Sequence, residues 1–160
     1  MSAVVGIVMG SASDRAVMAK AEEVLKEFGI EYELRILSAH RTPDETRAWV
    51  LESERTGVKV FIAAAGLAAH LAGAVAAHTT LPVIGVPLAA PTGAIAGGLD
   101  SLLSTVQMPG GIPVACVAIG EAGARNAGFL AAQMLSLADP SLQTKIKAQR
   151  RAAADKILAG

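Results

Sequence analysis

A chain of 160 residues with 14 Lys plus Arg against 14 Asp plus Glu is electrically balanced and sized for one domain. That balance leaves no basic footprint for nucleic acid, no run of about 18 uninterrupted apolar residues offers a membrane span, and the single cysteine permits no intrachain disulfide. The composition is 52% hydrophobic but only 3% aromatic, and a mean hydropathy of +0.48 implies a large apolar surface covered by oligomerisation.

Met-Ser-Ala-Val-Val-Gly at the N-terminus carries no basic segment and runs into an apolar strand, Val4–Met9. No signal peptide is therefore expected, and the chain reads as cytoplasmic. Gly10 to Asp14 is a small-residue turn into a first helix of about Asp14 to Phe28. That helix has a core stripe at Val17, Ala21, Val24, Leu25 and Phe28 and a stop at Gly29. Glu31–Leu37 alternates polar and apolar as a second strand. Thr42, Pro43 and Glu45 then read as N-cap, N1 and N3 of a second helix, a capping box, and Gly57 closes that helix.

Val58–Ala64 follows as a buried strand, Ala68–His78 as a short helix and Pro82–Val86 as a fourth strand. A glycine-rich loop, Ala89–Gly98, leads to a helix over Leu99–Val106. Pro113–Ile119 gives a fifth strand with Cys116 as a core residue, and Ala122–Leu137 a very apolar helix. Pro140 opens a last helix, 140–158, with Leu142, Ile146, Ala153 and Ile157 on one face. Its basic residues, Lys145, Lys147, Arg150, Arg151 and Lys156, read as a solvated face. The alternation predicts one α/β domain over 1–160, a three-layer flavodoxin-like or Rossmann-like fold with a five-stranded parallel sheet. The extra C-terminal helix, outside a core of 4–137, is a candidate for packing on a neighbouring subunit.

In such folds ligands bind at the carboxyl ends of the strands. Strand one delivers Ser11, Ser13 and Asp14, whose hydroxyls and backbone N–H groups suit a phosphate and whose carboxylate suits a ribose diol; an ordinary helix cap is the alternative. Strand two delivers Ser38, His40 and Arg41 beside a helix N-terminus, a favoured place for an anion. Arg41 can bind phosphate bidentately and His40 can exchange protons near neutrality. Alternatively, His40 is a loop histidine satisfied by backbone. Strand three delivers Ala65, Gly66 and a second histidine, His70. No cysteine or carboxylate cluster suggests a metal, and no nucleophile elbow is present. These residue types imply a phosphorylated small molecule handled by cofactor-free acid–base chemistry. Gln107–Gly111 reads as a tight helix stop.

The motifs Met9-Gly-Ser-Ala-Ser-Asp14, Ser38-Ala-His-Arg-Thr-Pro43, Ala65-Gly-Leu-Ala-Ala-His70, Leu81-Pro-Val-Ile-Gly-Val-Pro87 and Leu99–Gly111 occur in one order. In these the chain resembles the PurE family of N5-carboxyaminoimidazole ribonucleotide mutases of bacterial purine biosynthesis, in its mutase class. The resemblance runs from about Val4 to Leu137. It implies isomerisation of that ribonucleotide to its carbon-4 carboxylated form by decarboxylation and recarboxylation, without metal or cofactor.

Carried over by motif, Ser11 and Arg41 would bind the phosphate side with Ser13 and Ser38, and Asp14 the ribose. His40 would be the general acid–base, and Ala65, Gly66 and His70 would form part of the carbon dioxide pocket. The resemblance also implies a homo-octamer. Leu67 and Ala72 stand where the family pattern has glycine and proline, and the loop after Pro87 is longer and less polar than the pattern. A related class carboxylates aminoimidazole ribonucleotide directly, which is the alternative activity; a flavodoxin-like nucleotide sensor is the non-enzyme alternative.

Overall fold

The computed structural model describes residues 2–160. Strands β1 (Val5–Met9), β2 (Tyr32–Ile36), β3 (Val60–Gly66), β4 (Val83–Leu88) and β5 (Ala115–Cys116) form one parallel sheet in the order β2-β1-β3-β4-β5. Parallel neighbours need crossovers, and these are helices α1 (Arg15–Phe28), α2 (Pro43–Thr56), α3 (Leu71–Ala76) and α4 (Leu99–Val106). Helices α5 (Glu121–Ser136) and α6 (Pro140–Leu158) follow β5.

The central strands carry apolar residues on both faces because both faces are covered. Val5, Ile7 and Met9 of β1, Val60, Ile62 and Ala64 of β3, and Ile84, Val86 and Leu88 of β4 pack toward α1, α5 and the start of α6. Val8, Phe61, Ala63 and Val83 point the other way, onto Val50 of α2 and Leu71, Ala72 and Val75 of α3. Within α1, the buried set adds Met18 and Glu22 to the expected Ala21, Val24, Leu25 and Phe28, while Val17 is only partly buried. The Glu22 carboxylate is buried but paired: it accepts from Arg15 and, at 2.7 Å, from the Tyr32 hydroxyl, which ties α1 to β2.

Small side chains set how closely α1 and α5 approach. Ala124, Ala127, Ala131 and Ala132 of α5 are fully buried, and a Cβ added to Gly128 would lie 2.8 Å from the Val24 Cβ and 3.0 Å from the Ala21 carbonyl oxygen. Gly128→Val is expected to cost about 1–3 kcal/mol through overpacking. Urea unfolding followed by the fluorescence of the single tryptophan, Trp49, reads this as a lowered midpoint; an unchanged midpoint would show that the helices simply move apart.

Several expected bounds change. The fifth strand covers only Ala115–Cys116, not 113–119, because it lies at the sheet edge and pairs only with Ile84 and Gly85. Pro113 offers no N–H to a ladder. Cys116 is accordingly half-buried rather than a core residue, and burial pushes its thiol pKa up. The third helix spans Leu71–Ala76 instead of 68–78, since Leu67 takes a positive φ of 55° and breaks the approach to it. In α6, Leu142 and Ile146 are buried and the Lys145 ammonium donates to the Phe28 carbonyl at 3.3 Å. Ala153 and Ile157 are exposed, so the expected apolar face is docked only over its first half.

Candidate active site

Chain crossovers leave β1 toward β2 on one side and return from β2 to β3 on the other, so the sheet has its switch point at β1 and β3. A crevice opens there beyond the carboxyl ends of the strands. It is a cavity of about 510 Å³. Ser11, Ser13 and Asp14 line it after β1, Ser38, His40 and Arg41 after β2, and Ala65, Gly66, Leu67 and His70 after β3. Ala90 and Pro91 close one side from the loop after β4.

The turn after β1 is built by its own hydroxyls. Ser11 caps a short 3-10 turn, Ala12–Asp14, by accepting the Ser13 N–H at 3.3 Å. The Ser13 hydroxyl lies 2.9 Å from the Ser11 hydroxyl and 3.3 Å from the Asp14 carboxylate. Burial pushes the Asp14 pKa above the ordinary carboxylate value, and hydrogen bonds from the Ser13 side chain and the Ser11 backbone oppose this.

A carboxylate whose native pKa is raised binds a proton more tightly folded than unfolded, so stability falls as pH rises above the ordinary carboxylate range. Asp14→Asn is therefore expected to raise the melting temperature of the free protein at pH 7. The gain should disappear below about pH 4, where aspartate is protonated in both states. Thermal unfolding at the two pH values checks this, and an unchanged melting temperature at pH 7 would contradict it.

The segment after β2 is held differently from expectation. Thr42 stands at the N-cap of α2 with Pro43 at N1, but its hydroxyl makes no capping bond. It accepts the Ser38 N–H at 2.8 Å and donates to the Ser38 carbonyl at 3.1 Å, while the Thr42 N–H donates to the same carbonyl at 2.9 Å. The capping box thus gives way to a closed Ser38–Thr42 turn, because a nearer backbone partner takes the hydroxyl. That turn presents His40 and Arg41. The Arg41 N–H donates to the Ser38 hydroxyl at 3.2 Å, and its guanidinium donates to the Gly10 carbonyl at 3.0 Å. The ends of β1 and β2 are so joined, with guanidinium donors left for an anion.

His40 and His70 meet across the crevice. His40 Nε2 lies 2.8 Å from His70 Nδ1, and the rings stand edge to face at 77° with centroids 4.9 Å apart. A hydrogen bond at this distance needs an N–H on one ring and a bare nitrogen on the other, so the tautomers of the two imidazoles are tied to each other. His70 lies at the N-cap of α3, one residue before the helix rather than in its first turn. Among the described residues no three His, Cys, Asp or Glu side chains come together as a metal site.

The family resemblance implies the loop after β4 as cover of the pocket, and Ala90 and Pro91 are the residues of that loop that line the cavity, though neither carries chemistry to single it out in the sequence. Leu67, a departure from the family pattern expected near the carbon dioxide pocket, stands in the cavity wall. Gly66 is required by close approach: a Cβ there would stand 3.1 Å from the Leu88 carbonyl oxygen.

Comparison with known proteins adds to this geometry. Residues 4–156 match the family described as AIR carboxylase. The N5-carboxyaminoimidazole ribonucleotide mutase of Thermotoga maritima is 55% identical over 143 residues, covering 89% of this chain and 81% of that protein. Its namesake from Bacillus subtilis is 52% identical over 150 residues, covering 94% and 91%. The crystal structure of Treponema denticola PurE superposes with a TM-score of 0.86 at 35% identity, covering 97% of this chain and 94% of that one.

Proposed function

The chain belongs to the AIR carboxylase family, and on that premise we propose that it is an N5-carboxyaminoimidazole ribonucleotide mutase of purine biosynthesis. The observation that carries the mechanism is the His40–His70 contact in a cavity also lined by the hydroxyls of Ser11, Ser13 and Ser38, the Arg41 guanidinium and the Asp14 carboxylate. Ser11, Ser13, Ser38 and Arg41 bind the phosphate side of the ribonucleotide, and Asp14 accepts from the ribose hydroxyls. This leaves the imidazole ring of the substrate toward His40, against Ala65, Gly66 and His70.

The chemistry then needs one proton in each direction. The bond from the exocyclic nitrogen to the carboxylate carbon breaks, its electron pair returns to nitrogen, and His40 supplies the proton that nitrogen takes up. Carbon dioxide is released into the cavity. Carbon 4 of the aminoimidazole attacks it, and His40 recovers a proton from carbon 4 as the ring regains its aromaticity. His70 completes the pair by accepting or donating across the 2.8 Å contact as the charge on His40 changes. Proton transfer is what the side chains contribute to the bond exchange, and no redox partner is consumed.

Assembly into a homo-oligomer, in the family resemblance an octamer, accounts for apolar surface the monomer leaves open. Leu99, Leu103 and Val106 recur at i, i+4 and i+7 along α4, with Leu103 50% exposed. A cytoplasmic site suits such an enzyme.

The test is conversion of N5-carboxyaminoimidazole ribonucleotide to the carbon-4 carboxylated isomer without added bicarbonate. Efficient conversion is expected. Turnover only of aminoimidazole ribonucleotide with bicarbonate would make the protein a direct carboxylase, and binding without either turnover would make it a sensor.

A further inference from the structure

Leu67 follows β3 in the left-handed region, φ 55°, a conformation that suits glycine and is costly for a bulky side chain. Such a residue is sustained only where its surroundings hold it. Its Cδ2 methyl lies 3.7 Å from the position a Cβ would take on Gly93, the tip of the Ala89–Gly98 loop. Gly93 itself has φ 81°. The two ends of that loop pinch together, since a Cβ on Gly98 would stand 3.2 Å from the Ala89 Cα. This is the form of an Ω-loop, a flap on a narrow neck.

Beyond the neck, and apart from Ala90, whose N and Cβ lie 3.5 Å from the position a Cβ would take on Gly66, little fastens the flap. Among the described residues, 89–97 make no hydrogen bond to the sheet or the helices; the one bond there, Gly98 N–H to the Ile95 carbonyl at 3.1 Å, is internal. Ala90 and Pro91 nevertheless line the cavity. The isobutyl group of Leu67 reaches from the end of β3 toward Gly93 of the flap, and the residue is 44% exposed. Thr92 is the single polar side chain of the flap, which makes it a dry cover.

From this we propose that Leu67 is a positioning residue, an apolar latch that holds the Ala89–Gly98 flap over the cavity and thereby retains carbon dioxide between its release and its recapture. The proposal rests on the mutase reading. Carbon dioxide is neutral and offers no charge for the site to hold, so enclosure is what keeps it near carbon 4. A glycine at position 67 would relax the backbone and surrender the latch.

Two measurements on the full chain test this. Hydrogen exchange reads the latch without any substrate. Leu67→Gly and Leu67→Ala are both expected to speed exchange of the Gly98 amide, the donor of the one hydrogen bond in the flap, several-fold while leaving the amides of β1 and β3 unchanged. The alanine variant keeps a Cβ in the strained backbone and removes only the reach. The second measurement supplies N5-carboxyaminoimidazole ribonucleotide and compares free aminoimidazole ribonucleotide with carbon-4 carboxylated product. Both variants are expected to raise that ratio several-fold over wild type, and added bicarbonate should lower it again.

Flap exchange unchanged in both variants would overturn the latch. Faster exchange with an unchanged product ratio would overturn its role in retaining carbon dioxide. An effect confined to the glycine variant would assign the change to backbone freedom and overturn it as well. Failure of wild type to convert the substrate would defeat the mutase reading instead, with the exchange comparison still testing the latch.

Discussion

His40→Asn is expected to lower turnover of the N-carboxylated ribonucleotide by roughly 10²–10⁴ or more while leaving nucleotide affinity within about tenfold. Asparagine is close in size to the imidazole and can still donate to His70 Nδ1, which His40 Nε2 meets at 2.8 Å, so the crevice keeps its shape. What it cannot do is deliver a proton to the departing nitrogen or accept one from carbon 4. Both half-reactions then lose the same group, and the loss appears in kcat rather than in KM. Binding of the carboxylated product, measured by calorimetry, is the companion reading. Near-normal turnover in this variant would remove His40 from the mechanism, and loss of binding equal to the loss of rate would make it a binding residue.

Arg41→Ala should act in the opposite sense. In the proposed reading the guanidinium binds phosphate, and charge-assisted hydrogen bonds of that kind are each worth about 1.5–3 kcal/mol, so affinity is expected to fall roughly 10–150-fold. The side chain also donates to the Gly10 carbonyl at 3.0 Å, so the alanine variant loosens the turn that carries Ser11 and Ser13. Comparing the ribonucleotide with its unphosphorylated nucleoside separates the two effects. Wild type and variant should bind the nucleoside alike if the phosphate is the partner. Equal losses for both ligands would mean that Arg41 acts by shaping the turn, and unchanged ribonucleotide affinity would take it out of the site.

The legible parts of this molecule are those in which one strong local signal meets no competitor. Helix α4 begins and ends where the sequence indicates, Leu99–Val106, because glycine precedes it and no other pattern overlaps it. The parallel sheet follows from apolar strands separated by helical stripes, and the chemistry-bearing residues fall at strand carboxyl ends because the fold leaves its crevice there. Ser11, Asp14, Ser38, His40, Arg41 and His70 thus share one cavity although strands and helices separate them in the chain.

Tertiary context decides the remainder. Thr42 has the sequence of a cap but spends its hydroxyl on Ser38, a choice only the folded turn reveals. The fifth strand looks seven residues long by apolar run and pairs over two, because an edge strand needs only what its neighbour offers. At position 67 leucine itself gives no warning of a positive φ, and the glycine of the family pattern there is the one signal of it. Half of α6 looks amphipathic and has nothing of its own domain to cover it: Ile157 is 82% exposed.

Carbon transfer within one closed cavity is the central claim, and isotope retention tests it most directly. The N-carboxylated ribonucleotide would be supplied with carbon-13 in its carboxyl group, in buffer containing unlabelled bicarbonate, and the carbon-4 carboxyl of the product read by mass spectrometry. The account predicts that the label is carried into the product. A product carrying unlabelled carbon would mean that the carboxyl group escapes to solvent and returns from bicarbonate, which contradicts a mutase and favours direct carboxylation.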